Sequence, residues 1–210
     1  MPPPTKTTEM VPPVFRELSL IGGHPALDFL NTVKYRGERD PQDTLASLSD
    51  VIEWTRVAGL LSEAESKKLA RQRQKTGNST RIFHEICAFR EDARTLFSST
   101  GLKGARFVRS AKRVEAAISS LRPVATINLE SGELTSRIVV RTTTDLKARI
   151  VAALAEVLSN RTALNIKACA GADCDWLFID RTKAGRRRWC DTRTCGNIAR
   201  VRRFRQQRNA

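Results

Sequence analysis

Histidine, aromatic and acidic residues are all scarce in this 210-residue chain, and each shortage excludes something. There are two histidines and one tyrosine. His24 and His84 lie far apart, one before a proline in a turn and the other on a helix. Neither has an evident nucleophile partner, so both read as structural and no catalytic grouping forms around them. Aromatic residues make up 6% of the chain and do not interleave with the basic residues. This argues against an RNA-stacking platform, while RNA binding as such stays open as a third option. No apolar run approaches the length needed to cross a bilayer. The opening "MPPPTKTTEMVPP" has the wrong chemistry for a secretory segment, so a cytoplasmic location with reduced thiols is expected.

The shortage of acid leaves a large residue of positive charge. Against 37 Lys+Arg stand 22 Asp+Glu, giving +15 and a pI near 10.5. Such a surface attracts polyanions, nucleic acid first and anionic membrane second. Hydrophobic content of 40% suffices for one sizeable core.

Cysteine, by contrast, is concentrated. Four of the five lie in "CAGADCDWLFIDRTKAGRRRWCDTRTC", spaced C-x4-C-x15-C-x4-C at Cys169, Cys174, Cys190 and Cys195. Two short-loop pairs in a reducing compartment read as one closed four-thiolate zinc site of the structural kind. Iron–sulfur ligation stays open on cysteine count alone, whereas a redox C-x-x-C is excluded by spacing. A hydrolytic zinc would need an open position with three protein ligands and water, so no enzyme is expected. The separation of 15 suits a hairpin in which Trp176–Ile179 forms one strand, "RTKAG" turns, and Arg186 to Trp189 returns. Cys87 lies on the apolar face of a helix and reads as an inert core residue.

Upstream, residues 1–13 hold five of the eight prolines and read as a disordered leader. "VFRELSLIGGHPALDFLNTV" then suggests a short strand, a turn at Gly22-Gly23, and a second extended or helical piece. Asp43 or Thr44 can cap a helix with Leu45, Leu48, Val51, Ile52 and Ala58 on its apolar face. Ser62 and Glu65 have capping-box spacing for a helix to about Arg73. From Thr80 a period near 3.6 places Ile82, Ile86, Phe89, Ala93 and Leu96 on one face. A basic helix over 103–121 follows. Alternation around Ser131-Gly132 predicts a hairpin, and 145–159 a last apolar helix. The expected architecture is α+β: a mostly helical domain over 14–165 with a small antiparallel sheet, and a cysteine-rich unit over 166–210.

After Cys195 the chain runs "GNIARVRRFRQQRNA". Asn197 is a candidate helix cap. Ile198, Val201 and Phe204 share one side at helical spacing. From residue 169 onward eleven Lys+Arg against four Asp+Glu leave +7, and a zinc with four thiolates lowers this by two, to about +5. Arg186, Arg187, Arg188, Arg193, Arg200, Arg202, Arg203 and Arg205 are therefore the candidate nucleic-acid contacts. The paired cysteines, the hairpin and a helix starting at the last cysteine outline a treble-clef-like zinc finger.

The segment "C-x4-C-x-W-L-F-I-D-R-T…R-R-R-W-C-x4-C-G-N" resembles the CGNR zinc finger found at the C-terminus of bacterial proteins with an N-terminal ABATE domain. "HPALDFLNTV" and "FREDARTLF" are similar to elements of that domain. The resemblance implies an α+β N-terminal domain, a structural zinc and a role as a stress-related transcription regulator. The fourth letter of the signature is here Ile198 instead of arginine, so the grip on phosphate would pass to Arg200 or Arg193. Asp28, Asn31 and Thr32, after the Gly-Gly turn, are candidates to line a pocket for an unknown small ligand, and capping of the next element is the competing use. The expected partner is DNA. An acidic protein surface of the transcription machinery is the alternative, and no membrane partner is expected.

Overall fold

The computed structural model describes residues 20–34, 41–73, 77–97 and 104–208. The expected leader therefore lies outside the described residues, as does most of the strand proposed before Gly22.

A six-residue helix sits at the centre. α1 (Pro25–Leu30) starts with proline in its first turn, where a missing N–H costs nothing, and His24 caps it by accepting from the Ala26 N–H at 3.2 Å. Ala26, Leu27, Asp28, Phe29 and Leu30 are all buried. Such a short helix has no independent stability; its neighbours hold it. The helices of the body are α2 (Leu48–Val57), α3 (Glu63–Arg73), α4 (Ser79–Thr95), α5 (Ala105–Ser119) and α6 (Leu146–Ser159), of which α4 and α6 pack directly on α1. Phe29 meets Trp54 of α2 with ring centroids 5.3 Å apart, in the tilted geometry that aromatic quadrupoles favour. Ile82, Ile86, Phe89 and Ala93 of α4 turn inward as their spacing predicts.

The caps follow local chemistry. Ser62 and Glu65 form the expected box, with Ser62 N–H donating to Glu65 at 2.8 Å and Glu65 N–H to Ser62 at 3.2 Å. A second box, Thr142 with Asp145, opens a 3-10 turn (Thr143–Asp145) that runs into α6. The cap of α2 differs from expectation. Ser47 holds that position and accepts from the Asp50 N–H at 3.3 Å. Asp43 belongs instead to a two-residue ladder between β1 (Val33–Lys34) and β2 (Gln42–Asp43), and the N–H of Thr44 just beyond it donates to the Thr32 carbonyl at 2.9 Å. Asp43 is drawn there by Arg90, a guanidinium only 3% exposed that also donates to Thr32 at 2.8 Å. A buried charge needs a partner, and this need outweighs the capping preference of Asp43.

β3 (Val124–Ile127) and β4 (Leu134–Arg137) form the expected antiparallel hairpin, registered from Val124 opposite Arg137 to Ile127 opposite Leu134. Gly132 in its turn has φ +69. All eight strand residues are exposed.

β5 (Ile166–Ala168) pairs antiparallel with β6 (Leu177–Ile179). The partner of the Trp176–Ile179 strand is thus the segment before the first cysteine pair, not Arg186–Trp189. Burial explains the choice. β6 is fully buried, and its Leu177 and Ile179 enter the same core as α1. Asn31 clips this strand in place: its side-chain N–H donates to the Leu177 carbonyl at 2.8 Å and its oxygen accepts from the Leu177 N–H at 2.8 Å, both buried. Ile179 N–H donates to the Gly22 carbonyl at 2.9 Å. Arg94 of α4 reaches Asp175 at 3.0 Å.

Replacing Asn31 with alanine strands a buried N–H and a buried carbonyl. Asn31→Ala should lower unfolding free energy by about 2–4 kcal/mol, read from urea denaturation of the zinc-loaded protein. Loss below 0.5 kcal/mol, roughly the level of an exposed site, would show that the clamp is not needed.

Candidate metal centre and basic face

The metal centre is assembled from the strand ends outward. Cys169 continues the β5 ladder, its N–H donating to the Trp176 carbonyl at 2.8 Å. The chain then folds into a tight knuckle, with Cys174 N–H on the Gly171 carbonyl at 3.2 Å. A Cβ at Gly171 would sit 3.1 Å from that of Cys174 and 3.4 Å from the Cys195 sulfur, so the knuckle has no room for a side chain. The second pair is delivered by a buried carboxylate. Asp180 accepts from Lys167 at 2.7 Å, from the Thr182 hydroxyl at 2.6 Å and from the Arg187 N–H at 2.9 Å. Lys167 foremost, and then these donors, hold its carboxyl well below the usual carboxylate range. Lys167 also donates to the carbonyls of Gly185 and Arg187. Arg187 in turn lies 4.4 Å over the Phe178 ring and donates to the carbonyls of Trp189 and Cys190.

Asp191 then caps a wide turn, Thr192–Gly196, in which the Gly196 N–H reaches back to the Asp191 carbonyl at 3.0 Å. Cys195 sits in this turn, and α7 (Asn197–Arg208) continues from it. Asn197 is the first residue of the helix; Asp191 does the capping one turn earlier.

The four sulfurs lie within 4.8 Å of one another. Cys174 and Cys190 are 3.8 Å apart, and Cys190 and Cys195 3.6 Å. A tetrahedron with zinc–sulfur bonds of about 2.3 Å has edges of about 3.8 Å, whereas a disulfide needs about 2.05 Å. Two backbone N–H groups, of Gly171 and Cys190, point at the Cys169 sulfur at 3.4 and 3.3 Å. The thiols of Cys174 and Cys190 foremost, and then these N–H groups, hold Cys169 down at about 2. Cys174 is pushed up to about 12, since its proton is shared with the Cys169 sulfur. A divalent cation removes that conflict by letting all four ionise together. Ile21, Trp176 and Trp189 pack against the cluster.

Of the eight arginines expected on the basic face, Arg186, Arg188, Arg193, Arg200, Arg202, Arg203 and Arg205 are exposed. Arg187 is not a surface contact, because its guanidinium is spent on Phe178 and the two carbonyls. Arg193 pairs with Asp191 at 3.3 Å and Arg202 with Asp173 at 2.8 Å, the latter pinning α7 to the knuckle. Arg186 and Arg188 line a groove with Lys167, Ala168 and Ala170. Arg186, Arg200, Arg203 and Arg205 have no ion-pair partner among the described residues. Sequence reasoning missed Lys167, Asp180 and Arg90; nothing in a one-dimensional pattern marks which charges will be buried.

Asp28, Asn31 and Thr32 turn out to be occupied by the fold. Asp28 is 6% exposed and accepts the Gly22 N–H at 2.7 Å. A Cβ at Gly22 would lie 2.9 Å from that carboxylate oxygen, so glycine is required. Asn31 clips β6, and Thr32 donates to the Phe29 carbonyl at 2.7 Å while accepting from Arg90. The ligand-lining role is replaced by internal fastening, the competing use of such residues.

Burial raises Asp28 from 3.8 to about 6. The fold therefore favours the neutral acid. Its contribution is complete below pH 4 and is lost as pH rises through about 6, amounting to about 3 kcal/mol. Asp28→Asn keeps an acceptor for Gly22 but cannot ionise. Unfolding free energies of the two proteins, compared from pH 4 to 7.5, should diverge in favour of the variant as pH rises; parallel curves would refute the assignment. Separately, Cys190→Ser should abolish zinc retention, read by elemental analysis. It should also lower the thermal midpoint of the helical body by at least about 5 °C, because Leu177 and Ile179 belong to its core. An unchanged midpoint would mean that the finger adds nothing to the body.

Comparison with known proteins agrees with this geometry. Residues 23–161 match the ABATE family model, described as "Putative stress-induced transcription regulator", and residues 165–208 match the CGNR zinc finger. No curated protein matches the chain. The chain belongs to the ABATE family, and its CGNR zinc finger carries one structural zinc on Cys169, Cys174, Cys190 and Cys195.

Proposed function

We propose that this protein is a DNA-binding transcription regulator in which the zinc finger presents arginines to the phosphate backbone. The observation that carries the reading is the set of exposed, unpaired guanidinium groups on a metal-fixed frame. Arg186 and Arg188 stand at the groove beside β5, and Arg203 lies on α7 away from Val201 and Phe204. The order of elements, a knuckle between two strands, a third cysteine after a loop and a fourth at a helix start, suits a treble-clef finger. Phosphate contacts orient such a module, and base contacts would confer any sequence preference. The helical body supports the finger through Asn31, with α1 as the bridge. In this reading the protein works in the cytoplasm and has no catalytic role.

Binding to duplex DNA should weaken steeply with salt, since each neutralised phosphate releases counterions. Replacing Arg186, Arg188 and Arg203 together with alanine should reduce the slope of log affinity against log salt by about 2–3 while zinc content stays intact. A flat salt series for the wild-type protein would overturn the proposal. So would a triple variant that binds as before.

A further inference from the structure

Two faces of this chain are built like halves of an interface. The β3–β4 hairpin is amphipathic by its register. Ala125, Ile127, Leu134 and Ser136 share one side by strand alternation, opposite the side where Thr126 and Thr135 hydroxyls meet at 2.9 Å. Ile127 is 62% exposed, Leu134 66% and Leu129, just beyond the strand, 97%. An isolated two-stranded hairpin is marginal in water, and large exposed apolar groups rimmed by polar ones mark interaction surfaces. The tip is acidic: Glu130 and Glu133 are exposed and have no ion-pair partner among the described residues, in a chain whose net charge is +15.

α7 has the opposite charge and the same unmet need. None of its residues is buried. Val201 and Phe204, 40% and 59% exposed, form an outward stripe that Ile198, 51% exposed, extends. At 100° per residue, Arg200 and Arg205 flank that stripe on either side, and both lack an ion-pair partner among the described residues. The helix is about 18 Å long and the hairpin strands about 14 Å, so one can lie along the other.

We infer that the protein self-associates as a two-fold dimer in which the hairpin of each copy receives α7 of the other. Val201 and Phe204 cover Ile127, Leu129 and Leu134, while Glu130 and Glu133 face Arg200 and Arg205. The two-fold operation makes the junction twice, and both exposed apolar faces are buried by groups the chain itself supplies. The interaction is independent of the DNA reading, since Arg186, Arg188 and Arg203 lie outside it.

The test is sedimentation of the zinc-loaded, nuclease-treated full chain over a range of protein concentrations. The wild-type protein should form a dimer. Phe204→Glu and Leu134→Glu, both at exposed positions, should each weaken dimerisation about tenfold or more, with zinc content and helical circular dichroism unchanged. The double charge reversals Glu130→Arg/Glu133→Arg and Arg200→Glu/Arg205→Glu should each weaken it, and combining the two pairs in one chain should restore it. A monomeric wild-type protein would overturn the inference. Disruption by Leu134→Glu with no effect of Phe204→Glu would also overturn it, showing that hairpins pair with each other. A dimer indifferent to all of these changes, or charge reversals without mutual rescue, would place the interface elsewhere.

Discussion

Two buried hydrogen bonds between the Asn31 side chain and the backbone of Leu177 join segments 146 positions apart in the chain. A strand end that enters a helical core brings an unmatched N–H and carbonyl with it, and burying those without partners is costly. Asn31 is the side chain that supplies both a donor and an acceptor at one amide, and α1 holds it at the right depth because five of its six residues are buried. Leu177 and Ile179 can then serve the body's core while the other end of the same β5–β6 hairpin carries the metal knuckle. The two matched family segments thus meet in one apolar interior, and the finger takes its orientation from the body.

The metal centre was legible almost entirely from spacing. Four thiols in two equal pairs specify a closed tetrahedral site whatever the strands between them do. Strand pairing was less so, because alternation says that Trp176–Ile179 is extended but not which neighbour satisfies it. Burial decided for Ile166–Ala168. The helices of the body were readable from their apolar period, and the Ser62–Glu65 box from its chemistry. Ser47 caps α2 in place of Asp43 or Thr44 because Asp43 answers to Arg90, 47 positions away. Asp28, Asn31 and Thr32 were recognisable as special, yet a short polar side chain that fastens backbone and one that receives a ligand look alike in sequence.

Positive charge is divided by the structure into kinds. Arg90 and Arg187 are internal struts, one holding β2 to α4 and the other holding Cys190 to Phe178. Arg94 and Arg202 are staples between elements. On the metal-fixed finger Arg186 and Arg203 remain as outward charge, with Arg200 and Arg205 assigned to the hairpin of a second copy. A count of basic residues therefore overstates what is available for a polyanion.

The way α7 leaves the metal has a mechanical result. The last sulfur ligand lies in the wide turn that Asp191 caps, so the axis of the helix is referred to the tetrahedron itself, with the Arg202–Asp173 ion pair as a lateral tie. A rod of twelve residues fixed at one end is a pointer about 18 Å long. Tilting its root by about ten degrees sweeps its tip through about 3 Å, comparable to the span of a hydrogen bond.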